Sequence, residues 1–61
     1  MDTIETTLSE GSRAILEFES WAGGEILAIL DADTLEPVEV SDLEREILQE
    51  VVYDWLEYCA G

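Results

Sequence analysis

The 61-residue chain carries sixteen acidic residues against two arginines, with no lysine and no histidine, and its formal charge is −14. Such a surplus excludes direct binding to nucleic acid, because the phosphates would be repelled. The lack of histidine excludes an imidazole relay and imidazole metal ligands. Hydrophobic residues make up 48%, too many for a disordered acidic tail. We therefore expect one small acidic domain, residues 1–61, whose thin core must offset strong self-repulsion.

The location of the protein is predicted from its apolar runs and its single cysteine. No apolar run approaches the ~20 residues that span a bilayer. Residues 1–8 have neither the basic nor the apolar region of a signal peptide. Cys59 has no second cysteine to pair with, which fits a reducing compartment. These features predict a cytoplasmic protein in which Cys59 is a small buried hydrophobe.

The N-terminal segment, residues 2–8, alternates Ile4, Thr6 and Leu8 with Thr3, Glu5 and Thr7. This period of two indicates a strand, although a frayed arm is the alternative. Residues 9–12 read Ser-Glu-Gly-Ser and predict a hairpin loop, since glycine adopts positive φ readily.

Residues 13–20 also alternate, with Ala14, Leu16 and Phe18 expected inward and Glu17 and Glu19 outward. A helical spacing of apolar residues competes over positions 14–22. The pair Gly23-Gly24 would end such a helix after about two turns, so a strand followed by a glycine turn is preferred.

Residues 25–31 contain five apolar residues in succession, which predicts a central strand covered on both faces. One face can be covered by a helix. Ile15, Leu27 and Ile29 are expected to face the other way, where either the N-terminal segment or a second copy of the chain in a homodimer would cover them.

Residues 31–36 have the composition of a turn, and Pro37 opens a short predicted edge strand at 38–40. Asp31, Asp33 and Glu36 resemble the start of a calcium loop. The third acid and the glycine of such loops are missing, so a solvated turn is the preferred interpretation. We expect no metal site and no cofactor.

The longest periodic segment, residues 41–59, predicts an amphipathic helix that Gly61 ends. Ser41 and Glu44 form the S-x-x-E pattern of a capping box. The expected inward face consists of Ile47, Leu48, Val51, Val52, Trp55, Leu56 and Cys59. The predicted fold is α+β, an antiparallel meander of three or four strands with this C-terminal helix on one face.

Acidic residues form the opposite, outward face of this helix, in a row of Glu46, Glu50, Asp54 and Glu57. Like charges four residues apart destabilise a helix by a few tenths of a kcal/mol, and no lysine relieves them here. Charge placed against local stability is the best functional indication in the sequence.

Three exposed or half-exposed aromatic positions also need an interpretation. Trp55 lies in the middle of the apolar stripe and is expected in the core. Trp21, beside the glycine pair, is either a turn residue over the core or an exposed anchor for a partner. Tyr53 is expected to face outward among the acids.

Three classes of function explain the acidity. One is adaptation of a whole proteome to high salt, and another is a docking module for a basic protein, such as an antitoxin or an assembly factor. The third is mimicry of DNA, in which rows of carboxylates compete for the lysines and arginines that hold phosphates.

In size and charge the chain resembles phage-encoded DNA mimics, and among them the small anti-CRISPR proteins, through the helix row and the strand acids Glu17, Glu19 and Glu39. The resemblance implies a non-enzymatic inhibitor that occupies the DNA-binding surface of a Cas effector. The candidate contact residues are Glu46, Glu50, Asp54, Glu57, Glu17, Glu19 and Glu39.

Overall fold

The computed structural model describes residues 1–60, so the helix stop expected at Gly61 lies outside the described residues. The predicted α+β fold is confirmed. Three strands form one antiparallel sheet in the order β1-β2-β3, and a single α-helix follows them. The elements are β1 (Asp2–Thr7), β2 (Arg13–Phe18), β3 (Ile26–Asp31) and α1 (Asp42–Ala60).

The N-terminal segment is a strand and not a frayed arm, because β1 pairs with β2 along its whole length. The loop between them closes through two backbone hydrogen bonds, from Leu8 N–H to Ser12 O at 2.7 Å and from Gly11 N–H to Leu8 O at 2.9 Å. Gly11 has φ 104° in this loop, as its glycine predicted. β1 is left with one unpaired edge.

The prediction of a strand over 13–20 is confirmed for its first six residues, and β2 is the central strand. Ala14, Leu16 and Phe18 are buried, as expected from the alternation. The chain then makes a short 3-10 turn, Ser20–Ala22, before Gly23 and Gly24, which have φ 92° and 83°. Gly24 also lies against the helix, where an added Cβ would be 2.3 Å from Leu56 Cδ1.

The prediction that the third strand is central and covered on both faces was wrong, since β3 lies at an edge of the sheet. Ile29 does not face away from the helix either, because its side chain is only 5% exposed and belongs to the core. A register shift between Glu17 and Phe18 sets Ile26 opposite Phe18 and Ala28 opposite Glu17. Leu27 is therefore an extra residue, and the inward positions become Ile26 and Ile29.

The expected edge strand at 38–40 does not form. Pro37 makes an isolated bridge to Leu30, and Val38 N–H donates to Ile29 O at 2.9 Å. A proline donates no N–H, so the ladder cannot continue along this segment. Val38 and Val40 still pack against the core, so the segment partly covers the free edge of β3.

The core lies between one face of the sheet and α1, and its buried residues are Leu8, Ala14, Leu16, Phe18, Ile26, Ile29, Leu48 and Val52. Trp55 packs at its border, edge-on to Phe18 with ring centroids 5.4 Å apart. Two residues of the predicted inward face are exposed, Ile47 at 46% and Cys59. Ile47 lies at the margin of the apolar arc and Cys59 in the last turn, and the sheet is too small to cover either.

Candidate protein-binding surface

The acidic row of the helix is the largest feature that the fold leaves uncovered. Glu46, Glu50, Asp54 and Glu57 are all exposed, as the sequence predicted. Within residues 1–60 none of the four has an ion-pair partner, because the two ion pairs found there involve Glu5 and Glu19. The row spans eleven residues, or roughly 16 Å at the helical rise.

Hydrogen bonds on both flanks of α1 fix the direction in which this row points. On one flank, Glu44 accepts hydrogen bonds from the backbone N–H and the hydroxyl of Ser9, each at 3.0 Å. On the other flank, Gln49 binds the backbone at Gly24 and Ile26, and Arg45 donates to Ile26 O at 3.2 Å. The helix is therefore held against both ends of the sheet, and rotation about its axis is restricted.

The predicted capping box is only half formed as a result. Glu44 N–H donates to Ser41 Oγ at 3.1 Å, which is the expected N-cap bond. The Glu44 carboxylate does not return to the Ser41 backbone, because it binds Ser9 in the loop after β1. A local capping residue has thus become a tertiary contact.

The seven predicted contact residues do not form one surface. Glu17 alternates with Leu16 and Phe18, which are buried beneath the helix, so it lies on the opposite face of the sheet from α1. The acidic row points away from the sheet on the helix side. One rigid contact cannot include both Glu17 and this row.

Glu19 is occupied within the chain. Its carboxylate accepts a hydrogen bond from Trp21 Nε1 at 2.7 Å and lies 3.8 Å from the N-terminal ammonium. Nearby, hydrogen bonding with Ser20, first through its hydroxyl and then through its backbone N–H, lowers the pKa of Asp2 below its usual value. Trp21 is 83% exposed, which decides between the two interpretations that the sequence left open.

Glu39 is exposed near the start of the helix. It lines an open cleft of about 260 Å³ together with Glu10, Glu44 and neighbouring residues of the two loops. Of the three acids predicted outside the helix, Glu39 is therefore the one that adjoins α1. The sequence could not place Glu10 here, because the contact joins segments about thirty residues apart.

Apolar side chains accompany the acids on the exposed part of the helix, and the sequence analysis assigned only one of them, Tyr53, to the outside. Tyr53 is half exposed, as predicted. Leu43, Ile47 and Tyr58 are also exposed, the last at 85%. Their spacing of four and eleven residues would have placed them beside the acidic row.

The turn after β3 satisfies its own polar groups. Asp31 Oδ1 accepts hydrogen bonds from Asp33 N–H at 2.8 Å and Thr34 N–H at 3.1 Å, an arrangement that closes an Asx turn. Among the described residues, no group of three or more potential metal ligands comes together. None of the helical segments in that part of the chain has the length and apolar character to cross a bilayer.

The fold and this surface define a small acidic α+β domain with an exposed acidic helix. Comparison with known proteins gave no matching family model, no similar curated protein and no similar solved structure. The function is therefore argued from the surface itself.

Proposed function

We propose that the protein is a non-enzymatic inhibitor that acts as a DNA mimic, of the anti-CRISPR type. Its acidic helix would occupy the DNA-binding surface of a host defence complex. The observation that carries the proposal is the row of four exposed carboxylates without an ion-pair partner in residues 1–60. A partner that supplies lysines and arginines would neutralise them with charge-assisted hydrogen bonds.

The spacing of the row supports an analogy with one strand of a duplex. Four charges over roughly 16 Å give an average gap of about 5.5 Å along the helix. One DNA strand presents a phosphate every ~3.4 Å of axis. The helix thus carries somewhat under two thirds of the charge density of a strand, on a support that does not bend.

The contact surface is narrower than the sequence suggested. It consists of the row Glu46, Glu50, Asp54 and Glu57, extended by Glu39 at the helix start. Glu17 faces the opposite side of the sheet and Glu19 is bound within the chain. Both are left outside the proposed contact.

The partner in this proposal is a basic, DNA-binding protein surface, such as that of a Cas effector subunit. The protein itself would not bind nucleic acid, and its place of action would be the host cytoplasm. It needs no cofactor, because binding alone blocks access of DNA to the partner.

A docking module for a basic protein is the second candidate, and the exposed apolar residues of the helix favour it. Leu43, Ile47 and Tyr53 lie beside the acids. DNA phosphates have no apolar neighbours of this kind at the backbone, whereas protein interfaces commonly combine both. A target that contacts these residues would be selected by more than charge.

A pull-down from extract of the native host distinguishes the candidates. The tagged protein is presented to nuclease-treated extract at about 0.1 M and about 1 M NaCl, so that DNA does not bridge and screening varies widely. Recovery of a DNA-binding complex at low salt, with displacement by added duplex DNA, supports mimicry. Recovery of a partner that binds DNA and this protein together supports the docking module and overturns mimicry.

A further inference from the structure

The outer edge of β1 is unpaired, since β1 is the first strand in the order β1-β2-β3. Leu8 N–H binds Ser12 O, so even-numbered residues of β1 share hydrogen bonds with β2. In an antiparallel ladder the odd-numbered residues then direct their N–H and C=O groups to the free side. Thr3, Glu5 and Thr7 therefore present a ready template for another strand.

This edge lacks the features by which proteins usually protect a free strand. β1 contains no proline, no lysine and no bulge, and its sequence, Asp-Thr-Ile-Glu-Thr-Thr, is rich in β-branched residues. The corresponding edge of β3 is partly covered, because Val38 and Pro37 lie along it. Protection has been given to one edge of the sheet and not to the other.

Exposed apolar side chains lie above the same edge. The flank of α1 that carries Glu44 faces β1, as its bonds to Ser9 establish. Ile47, Val51 and Tyr58 follow Glu44 at steps of three, four and seven, on that flank. Val51 is half-buried, while Ile47 and Tyr58 are exposed.

The carboxylates nearest this flank are already partnered within the chain. Glu5 pairs with Arg13, Asp2 accepts a hydrogen bond from Ser20 N–H, and Glu44 binds Ser9. The unpartnered acidic row points outward from the helix. The β1 flank is thus the side of this −14 molecule on which a second acidic copy meets the least repulsion.

We propose that two copies of the chain associate through their β1 edges, forming a continuous six-stranded antiparallel sheet with the two helices side by side on one face. This two-fold contact brings the Ile47, Val51 and Tyr58 rows together over the seam. An interface of standard size buries about 800 Å² on each partner. That is roughly a fifth of the 4281 Å² surface of one copy, a share that one flank of so small a molecule supplies.

Symmetry and the pleat restrict the register. Directly opposite residues in an antiparallel pair lie on the same face, so opposite residue numbers must have an even sum. Two registers pair most of β1. One places Ile4 opposite Ile4 of the second copy and Thr3 opposite Glu5, whereas the other places Glu5 opposite Glu5. Like charges directly opposite are destabilising, so the register centred on Ile4 is the one proposed.

Sedimentation of the wild-type protein is the first test. Raising NaCl from about 0.1 M to about 1 M shortens the screening length from about 10 Å to about 3 Å, so the dimer fraction should increase. Binding to a basic target should weaken over the same range. A chain that stays monomeric at both salt concentrations overturns the dimer and leaves the proposed function intact.

Proline substitutions test the edge. Thr3→Pro removes an outward N–H that the dimer uses twice by symmetry, and it should weaken the dimer Kd about tenfold or more. Thr7→Pro is the matched control, because Thr7 lies beyond the paired stretch. Circular dichroism and melting check that both variants fold. Equal dimerisation of the two variants would mean that another surface is responsible.

A cysteine cross-link tests the register in a Cys59→Ser background. Ile4 would occupy a non-hydrogen-bonded pair with Cα atoms about 4.5 Å apart, within the range for a disulfide. Ile4→Cys should therefore yield a covalent dimer on mild oxidation. Thr6→Cys, the control, would be about 13 Å from its own copy and should not. A reversed or equal yield contradicts this register.

Discussion

Glu44 accepts two hydrogen bonds from Ser9, each 3.0 Å long, and so joins the first turn of the helix to the loop after β1. The two residues are 35 positions apart in the chain. The contact fixes the start of the helix over one end of the sheet. It also determines which flank of the helix faces the β1 edge.

Replacing Glu44 by alanine should reduce the free energy of unfolding by about 1 kcal/mol, since two exposed charge-assisted hydrogen bonds are lost. For a domain of this size the melting temperature should fall by about 4–8 °C. Glu46→Ala is the matched control, because it removes the same charge from an exposed helical position with no such bonds. Thermal melts that show equal stability for the two variants would mean that the Ser9 contact contributes nothing.

Gly24 tests the close approach of the turn to the helix. Gly24→Ala adds a methyl group that would meet Leu56 Cδ1 at 2.3 Å, in addition to the strain of φ 83°. Gly23→Ala has a similar φ of 92° but open space around the new Cβ. We expect a loss of about 1–2 kcal/mol for Gly23→Ala from backbone strain alone, and about 1–2 kcal/mol more for Gly24→Ala. Urea denaturation measures the difference, which would vanish if Leu56 moves aside freely.

The two tryptophans should respond to truncation in different ways. Trp55 packs edge-on to Phe18, so Trp55→Ala should cost about 2–4 kcal/mol and can unfold so small a domain. Trp21→Ala, its control, should change stability by less than about 0.5 kcal/mol, because the side chain is 83% exposed. Denaturation followed by circular dichroism reports both. A large loss for Trp21→Ala would show that its bond to Glu19 supports the fold.

Acid should remove one specific contribution to stability. The pKa of Asp2 is lowered in the folded chain by its hydrogen bonds with Ser20, so the ionised form favours folding. This contribution is complete above the unfolded pKa near 3.8 and is lost as the pH falls through the lower, folded pKa. The difference in melting temperature between the wild type and Asp2→Asn should therefore be largest at neutral pH and shrink below about pH 4. A difference that grows in acid would contradict the direction of the shift.

The acidic row should affect binding and stability in opposite directions. Glu50→Gln with Asp54→Asn removes two charges and relieves repulsion along the helix, so folding should be unchanged or slightly stabilised. Binding to the recovered target should weaken by about 1–3 kcal/mol through lost charge-assisted contacts. The control is Glu25→Gln with Asp33→Asn, which removes the same charges at exposed positions away from the helix. Calorimetric titration that gives the two double variants equal affinity would leave the row a solvated surface.

Local pattern was sufficient for the elements and for several of the side chains they bury. The alternation in residues 13–18, the glycine turn and the Ser41 cap each depend on neighbours within a few positions, and all three are present in the structure. The outward direction of Glu46, Glu50, Asp54 and Glu57 followed from helical periodicity in the same way.

What the sequence by itself determined is therefore the α+β class, the position of the helix and the acidic row on its exposed side. Only the tertiary structure decided that Ile29 is buried, because a bulge in a paired strand depends on the register of two segments. It alone decided that Glu44 binds Ser9, that β1 keeps a free edge and that Glu17 faces away from the helix row. Each of these depends on contacts between residues far apart in the chain, and hydrophobic periodicity carries no information about which distant segments meet.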